Sequence, residues 1–506
     1  MSLLELPTEL LEEIVITTDP RTSSGRAIRL TCKTLCDVAT PLVFEHLYID
    51  FTKIEKHNYN SDAIRFLMEL SQGRRLARFV RSLYFLTSSG SHKKKFRLRD
   101  VLSVWKNKKT FFDIVGMLIL IAVQQMRGLR AFHWRNPDRA WMWTDIMHEI
   151  ILTSLSDCPH LGFVSISAVG IKNDIPCAPF HDLTDLLIQG WSSLDYAPAI
   201  IANSPSLISF EFKISPHDST PLLPFPVLSL FSAFPEGTYS SVQEVILAGD
   251  DLSLEPSTIP ALIPHFRNLS EFFVPAGFGV PDEFWNTLVD ARVHLRYVTS
   301  RDSLTDSFLN YLGGYHGLKE LHLCPVPANA QGVLDAIHTR FFCHHIIPAH
   351  ASSLTSVVVQ SEYAGSWCFD VPMLEALLLC TNVVYIGISV DQQRAQVKGD
   401  ENVITKLMEN VQSWHCLEHL KIGTPILNDT TVRSPSSNDY NLKKDVCSDI
   451  AICATKFQYT DPTPQMFNLR IDTDSQWNFR LRLRDFEPPF YTFFPCSPYI
   501  VERISI

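Results

Sequence analysis

The chain has 506 residues, more than one ordinary domain of about 100–200 residues, and calls for several domains or one long array of repeats. An apolar share of 46% beside 19% charged residues excludes disorder through most of the length. The formal charge of −10 argues against a general nucleic-acid binder, and twelve cysteines without a C-x-x-C pair fit reduced, mostly buried thiols of a cytosolic or nuclear protein.

In chain order, MSLLELPTELLEE has no basic region followed by an apolar core, so no secretory signal is expected. Leu6-Pro7-Thr8-Glu9-Leu10-Leu11 reads as a helix start, with proline in the first turn and Glu9, Glu12 and Glu13 near the positive end of the helix dipole. Leu10, Leu11 and Ile14 are expected on one side of it. Asp19-Pro20 marks a turn, and Ser23 or Ser24 could cap the next helix. That helix carries Ala27, Leu30, Leu35, Val38 and Ala39 and is expected to stop at Pro41.

LPTELLEEI followed by RLTCKTLCDVATPLVFEHLYID resembles the F-box over roughly residues 4–50, with Leu35 standing where many F-boxes carry tryptophan. The resemblance implies a three-helix unit that binds the Skp adaptor of a cullin–RING ubiquitin ligase. It implies adaptor contacts at Leu6, Pro7, Leu10, Leu11, Ile14, Leu30, Leu35 and Pro41. The plainer alternative is that these side chains pack against one another inside a helical cap. So short a unit has difficulty burying them all.

From Val80 onward one phrase recurs twelve times: an apolar residue, two variable ones, an apolar residue, one variable, and usually a further apolar residue. Leu183-x-x-Leu186-x-Ile188, Leu207-x-x-Phe210-x-Phe212 and Leu318-x-x-Leu321-x-Leu323 are clear cases, and Val80, Leu129, Leu161, Val242, Leu269, Leu295, Leu354, Val383 and Leu417 open the others. Alternation inside the phrase predicts a strand with one face in a core. Amphipathic stretches such as Pro281–Ala291 and Met373–Leu379 predict helices between strands. A doubly wound sheet has a similar alternation, but no glycine-rich phosphate loop is present. The series is similar to irregular leucine-rich repeat arrays of the kind joined to F-boxes, in large families of fungi.

The expected fold is therefore α/β: a three-helix F-box at 1–50, a helical connector at 51–78, a leucine-rich repeat solenoid at 79–456 and a capping segment at 457–506. Parallel strands would line the concave face and helices the convex one. Insertions are placed at 91–127, whose start is basic, and at 428–446, read as a mobile polar loop. The basic run is a solvated loop or a contact for an acidic partner. Phe111–Val123 is too short to span a membrane and reads as a buried helix. Trp477–Leu483 alternates like a strand, and the aromatic tail could cap the last repeat or cross the concave face.

Open strand positions include His133, Glu211, Lys213, Phe273, Arg301, His322, Val358 and Gly387. No nucleotide loop, metalloprotease helix or nucleophile elbow occurs. Cys343, His344, His345 and His350 lack paired-ligand spacing and read as a loop with solvated imidazoles. The expectation is a non-enzymatic, cytoplasmic or nuclear subunit without cofactor, metal, nucleic acid or membrane partner. It would bind the Skp adaptor through the N-terminal helices and an unidentified target through the repeats. An interaction scaffold with an F-box-like module that delivers no substrate, and an enzyme with an unrecognised site between repeats, stand as alternatives.

Overall fold

The computed structural model describes residues 6–18, 27–50, 62–73, 76–86, 114–135, 145–167, 180–190, 197–214, 227–249, 252–275, 278–301, 304–325, 332–397, 399–425, 437–457, 467–471, 477–484 and 487–494. The chain divides into two compact units. The first comprises Met1–Pro221, Pro226–Val242 and Pro264–Phe266; the second comprises Leu222–Phe225, Gln243–Ile263 and Arg267–Ile506.

The first unit opens with two helices, α1 (Thr8–Thr17) and α2 (Lys33–Phe44). Pro7 stands just before the first turn and Glu9 within it, as the sequence leads one to expect. Leu11 and Val15 of α1 meet Leu35, Val38 and Ala39 of α2, with Leu6, Ile28, Cys32 and Leu42 packed against them. Pro41 does not stop α2; it lies inside the helix. Proline removes one backbone donor there, but an amphipathic helix held by tertiary packing tolerates the loss. Thr40 Oγ1 also donates to Cys36 O at 2.5 Å in the same turn. Ser23 and Ser24 lie outside the described residues.

Six parallel strands follow in this unit: β1 (His46–Asp50), β2 (Ser82–Leu86), β3 (Ala131–Arg135), β4 (Phe163–Ser167), β5 (Asp185–Gln189) and β6 (Ser209–Lys213). They pair in chain order, so each connection is a crossover and not a hairpin. The helix at 114–125 buries Val115, Ile119, Ala122 and Val123 and exposes Ile114 and Met117. The apolar stretch at Phe111–Val123 is thus amphipathic in place, and its first residues lie outside the described ones.

The second unit continues with β7 (Glu244–Ala248), β8 (Leu252–Ser253), β9 (Glu271–Val274), β10 (Phe278–Gly279), β11 (Tyr297–Ser300) and β12 (Glu320–Leu323). Next come β13 (Ser356–Val359), β14 (Tyr385–Ser389), β15 (His419–Gly423), β16 (Asn468–Ile471), β17 (Trp477–Arg484) and β18 (Glu487–Phe494). β8 and β10 form a small parallel pair of their own. The others form one sheet, parallel from β7 to β16 and antiparallel from β16 to β18. Helices between strands start on side-chain caps: Thr305, Asp370, Asp391 and Asn402 each accept from a backbone N–H in the first turn.

The apolar residues of all twelve phrases are buried, from Val80, Leu83 and Phe85 to Leu417, Leu420 and Ile422. Three buried side chains of this kind contribute roughly 5–9 kcal/mol. A lone phrase has no neighbour against which to bury them. No phrase can fold alone; each is stable only against its neighbours. A backbone motif accompanies the stacking. In the second unit, Ser270 and Glu271 both donate to Gln243 O, and Arg296 and Tyr297 to Ser270 O. The same step recurs on Arg296, Lys319, Thr355 and Val384, at 2.7–3.2 Å throughout.

Four further sequence expectations need correction. β1 falls within the stretch assigned to the N-terminal helical unit: Phe44-x-x-Leu47-x-Ile49 is an additional phrase, entered directly from α2. β16 is another, Met466-x-x-Leu469-x-Ile471, inside the stretch assigned to the cap. Residues 437–446, read as loop, belong to the helix Ser437–Lys456, which buries Val446, Cys447, Ile450 and Ala454 at helical spacing. The histidine run is not a loop either. Gly332–Phe341, a π-helical turn at Phe342–Ile346 and Ile347–His350 form consecutive helical segments that bury Cys343 and His350 and expose His344 and His345.

Candidate interaction surfaces

The two N-terminal helices divide the expected adaptor residues between an interior and a surface. Residues 7, 10 and 14 share one helical face, while 11 and 15 face α2. Leu11 and Leu35 are buried in the helices' own core, so they support the surface and do not form it. Pro7 is exposed, Leu10 is 45% exposed and Leu30 is 79% exposed; Leu6, Ile14 and Pro41 are half-buried. Ile16 is also exposed, at 56%. Arg29 lies over the Phe44 ring, 4.9 Å from its centroid, and covers one flank of that aromatic.

On the open face of the first unit's sheet, in-register residues build an aromatic stack. Tyr48 and Tyr84 lie 4.4 Å apart, Tyr84 and His133 4.2 Å, and His133 and Phe163 4.5 Å between centroids. Tyr48, Tyr84 and His133 are register partners, so a strand spacing of about 4.8 Å enforces their stacking, while Phe163, two residues before the partner of His133, joins them diagonally. Ser165 and Leu187 continue the row, and Glu211 pairs with Lys213 on β6.

The open face of the second unit is polar at its strand starts. Glu244, Glu271, Tyr297, Glu320, Ser356, Tyr385, His419 and Asn468 are in register across eight strands. Burial, then the charges of Glu244 and Glu320, raise the Glu271 carboxyl to about 7. The next row runs Ile246, Phe273, Thr299, His322, Val358, Gly387, Lys421 and Arg470. The missing side chain at Gly387 leaves room for Val358, whose methyls would stand 3.1 Å from a Cβ there. Neither the aromatic stack nor the acidic row was foreseen, because both depend on which strands become neighbours.

Several groups resemble catalytic parts and are explained by structure. His322 Nε2 lies 2.8 Å from Ser356 Oγ, and burial lowers the imidazole pKa, so the neutral ring can accept the hydroxyl proton. A Ser–His pair of the catalytic kind needs a carboxylate on the other ring nitrogen, whereas Glu320 stands 3.9 Å from this same Nε2. His350 Nδ1 accepts from Leu318 N, and Nε2 then donates to Leu312 O, which fixes a buried neutral imidazole between two helical segments and a strand entry. Burial raises the thiols of Cys158 to about 11 and of Cys343, Cys368 and Cys380 to about 12, far from the thiolate a nucleophile requires. Asp370 and Asp391 cap helices and face Arg394.

Among the described residues no group of three or more His, Cys, Asp or Glu side chains is placed to hold a metal ion. Among them no helix is long and apolar enough to cross a membrane. No protein-family model matches the chain, and no curated protein matches it.

Proposed function

We propose that the chain is a substrate-recognition subunit of a Skp–cullin–F-box ubiquitin ligase: an N-terminal F-box docks on the Skp adaptor and a leucine-rich repeat solenoid holds a target protein. The observation that carries the reading is the division within α1 and α2. Leu11, Val15, Leu35, Val38 and Ala39 close a core, while Leu10 and Leu30 remain open to solvent. Exposed leucines beside an already closed core gain stability only when a partner covers them. The half-buried Leu6, Ile14 and Pro41 supply the rim of such a contact. Stacked strands, with a polar and aromatic open face, support the target-binding half of the reading.

On this reading the chain lends proximity and not chemistry: tethering raises the effective concentration of target lysines near the charged ubiquitin-carrying enzyme. The test is co-purification of a Skp adaptor with the full chain and with the Leu10→Asp/Leu30→Asp variant. Both positions are exposed, so the variant keeps its circular-dichroism spectrum and melting temperature. It retains less than about a tenth of the adaptor, because a charge would enter a desolvated apolar contact. Equal retention by both chains, or none by the unaltered chain, overturns the proposal. Adaptor retention without ubiquitination of any bound protein selects the scaffold reading.

A further inference from the structure

One stretch of this acidic chain is strongly basic. Residues 74–130 hold fourteen lysines and arginines against two aspartates and no glutamate, whereas the whole chain carries −10. Four of these arginines, Arg78, Arg81, Arg127 and Arg130, lie in the first unit at the entries of β2 and β3. Arg81 N and Ser82 N donate to Glu45 O, and Arg130 N and Ala131 N donate to Arg81 O, at 2.8–3.0 Å. Arg81 and Arg130 thus hold the same position on adjacent strands, about 4.8 Å apart along the sheet. Like charges directly opposite one another destabilise a sheet. Among the described residues none of the four arginines forms an ion pair that would offset this.

The Arg81 guanidinium is fixed before any ligand arrives. Its Nη1 donates to Gly128 O at 3.1 Å and to Arg78 O at 3.4 Å. It crosses Gly128 so closely that a Cβ there would overlap Nη1, and only the missing side chain opens the passage. Neutral carbonyls leave the positive charge uncompensated, and Nε and Nη2 meet no acceptor among the described residues. That free edge is the fork that takes a carboxylate or phosphate through two parallel bonds. Arg78 stacks on the Phe79 ring, 4.6 Å from its centroid, which leaves its in-plane donors open as well. We infer that Arg78, Arg81, Arg127 and Arg130 bind an acidic peptide of a partner protein through a phosphate or a pair of carboxylates.

The extent of the cluster decides the form of the ligand. The strand entry before it is Glu45, and those after it are Gly162 and Thr184. Cations therefore cover two neighbouring entries, about 5 Å, and stop. A nucleic-acid backbone needs a continuing track of cations, and an anionic membrane needs a broad basic plane. One phosphate, or two carboxylates on nearby residues, fits within this width. Such a peptide would belong to the target held by the repeats, so the assignment rests on the proposed function, but its test involves no adaptor.

Fluorescence anisotropy of the full chain would be measured with four labelled probes: eight-residue peptides carrying two phosphoserines, two glutamates or two serines at the same places, and a single-stranded oligonucleotide. One or both acidic peptides bind and the serine peptide does not, with affinity falling as salt rises from about 50 to 300 mM. Arg130→Gln, at an exposed position, weakens binding about tenfold. Gly128→Ala keeps all four charges but displaces the Arg81 guanidinium, the movable end of a long side chain. It weakens binding about fivefold at an unchanged melting temperature. Lys319→Gln, which removes an exposed cation of the second unit, leaves binding unchanged. Preference for phosphoserine or for glutamate identifies which acid the cluster accepts. Four results overturn the inference: neither acidic peptide binding, either arginine-site variant binding like the unaltered chain, Lys319→Gln weakening binding as much, or the serine peptide or oligonucleotide binding most tightly. Failure here with adaptor retention intact leaves the N-terminal docking standing.

Discussion

At Glu271 a single carboxyl reports how the sheet was assembled. Its folded pKa, about 7, lies above the ordinary value near 4.5, because burial and two neighbouring carboxylates disfavour its charge. Well below pH 4.5, at about pH 3, the group is protonated whether folded or unfolded, and it has no effect on stability relative to a neutral residue. As pH rises toward and through 7, the unfolded chain releases the proton first, so the folded state loses stability. Glu271→Gln should therefore raise the melting temperature by about 2–4 °C at pH 8, equivalent to roughly 1 kcal/mol after screening of a half-exposed group, and leave it unchanged at about pH 3. Calorimetry at both pH values checks this; equal melting of the two chains at pH 8 refutes it. The sequence marks Glu271 as a strand residue of the open face. It does not show Glu244 and Glu320 beside it, since those contacts join separate repeat phrases. A similar limit applies to Leu10 and Leu11. Both are apolar, yet successive helix residues point about 100° apart, and only the position of α2 decides which is interior.

Elements were most legible where period and caps agree. The helices Asp282–Asp290 and Val371–Leu377 follow the apolar spacing of their stretches closely. Ser437–Lys456 was hidden by its polar first half, although Val446, Ile450 and Ala454 recur every four residues in the second. β1 was hidden because α2 runs straight into it, past a proline that normally marks a boundary. Caps here also join elements. Asn402 accepts from Ile404 N and Thr405 N, while its Nδ2 donates to Ala395 O and Val397 O. One buried side chain thus ties the end of Gln392–Ala395 to the start of Val403–Asn410. Asn402→Ala leaves donors and acceptors stranded and should cost about 2–3 kcal/mol, against about 1 kcal/mol for an ordinary exposed cap. Chemical denaturation measures the difference, and a loss below about 1 kcal/mol would show that water replaces the knot.

At the scale of the molecule, stability is shared between neighbouring units and depends on how each array ends. In the second unit the parallel strands give way to the antiparallel β17 and β18, and the helix Ser437–Lys456 contacts both β16 and β18. Ending the chain after Pro425 removes this closure and bares β15 as an edge whose core residues Leu420 and Ile422 lose their neighbours. Such a chain should elute as aggregate in size-exclusion chromatography, whereas a monodisperse folded peak would show that the array closes at β15 without help.

The sequence alone determined the repeat phrase, its strand period, the inward residues and the α/β class, because burial of alternate side chains is a local requirement that every phrase must meet. Only the tertiary structure decided which leucines of α1 face outward, that phrases extend to β1 and β16, and that the carboxylates of Glu244, Glu271 and Glu320 collect on one sheet face. Those outcomes depend on which segments lie side by side, and adjacency in space is set by packing between phrases, not by the order of residues within one.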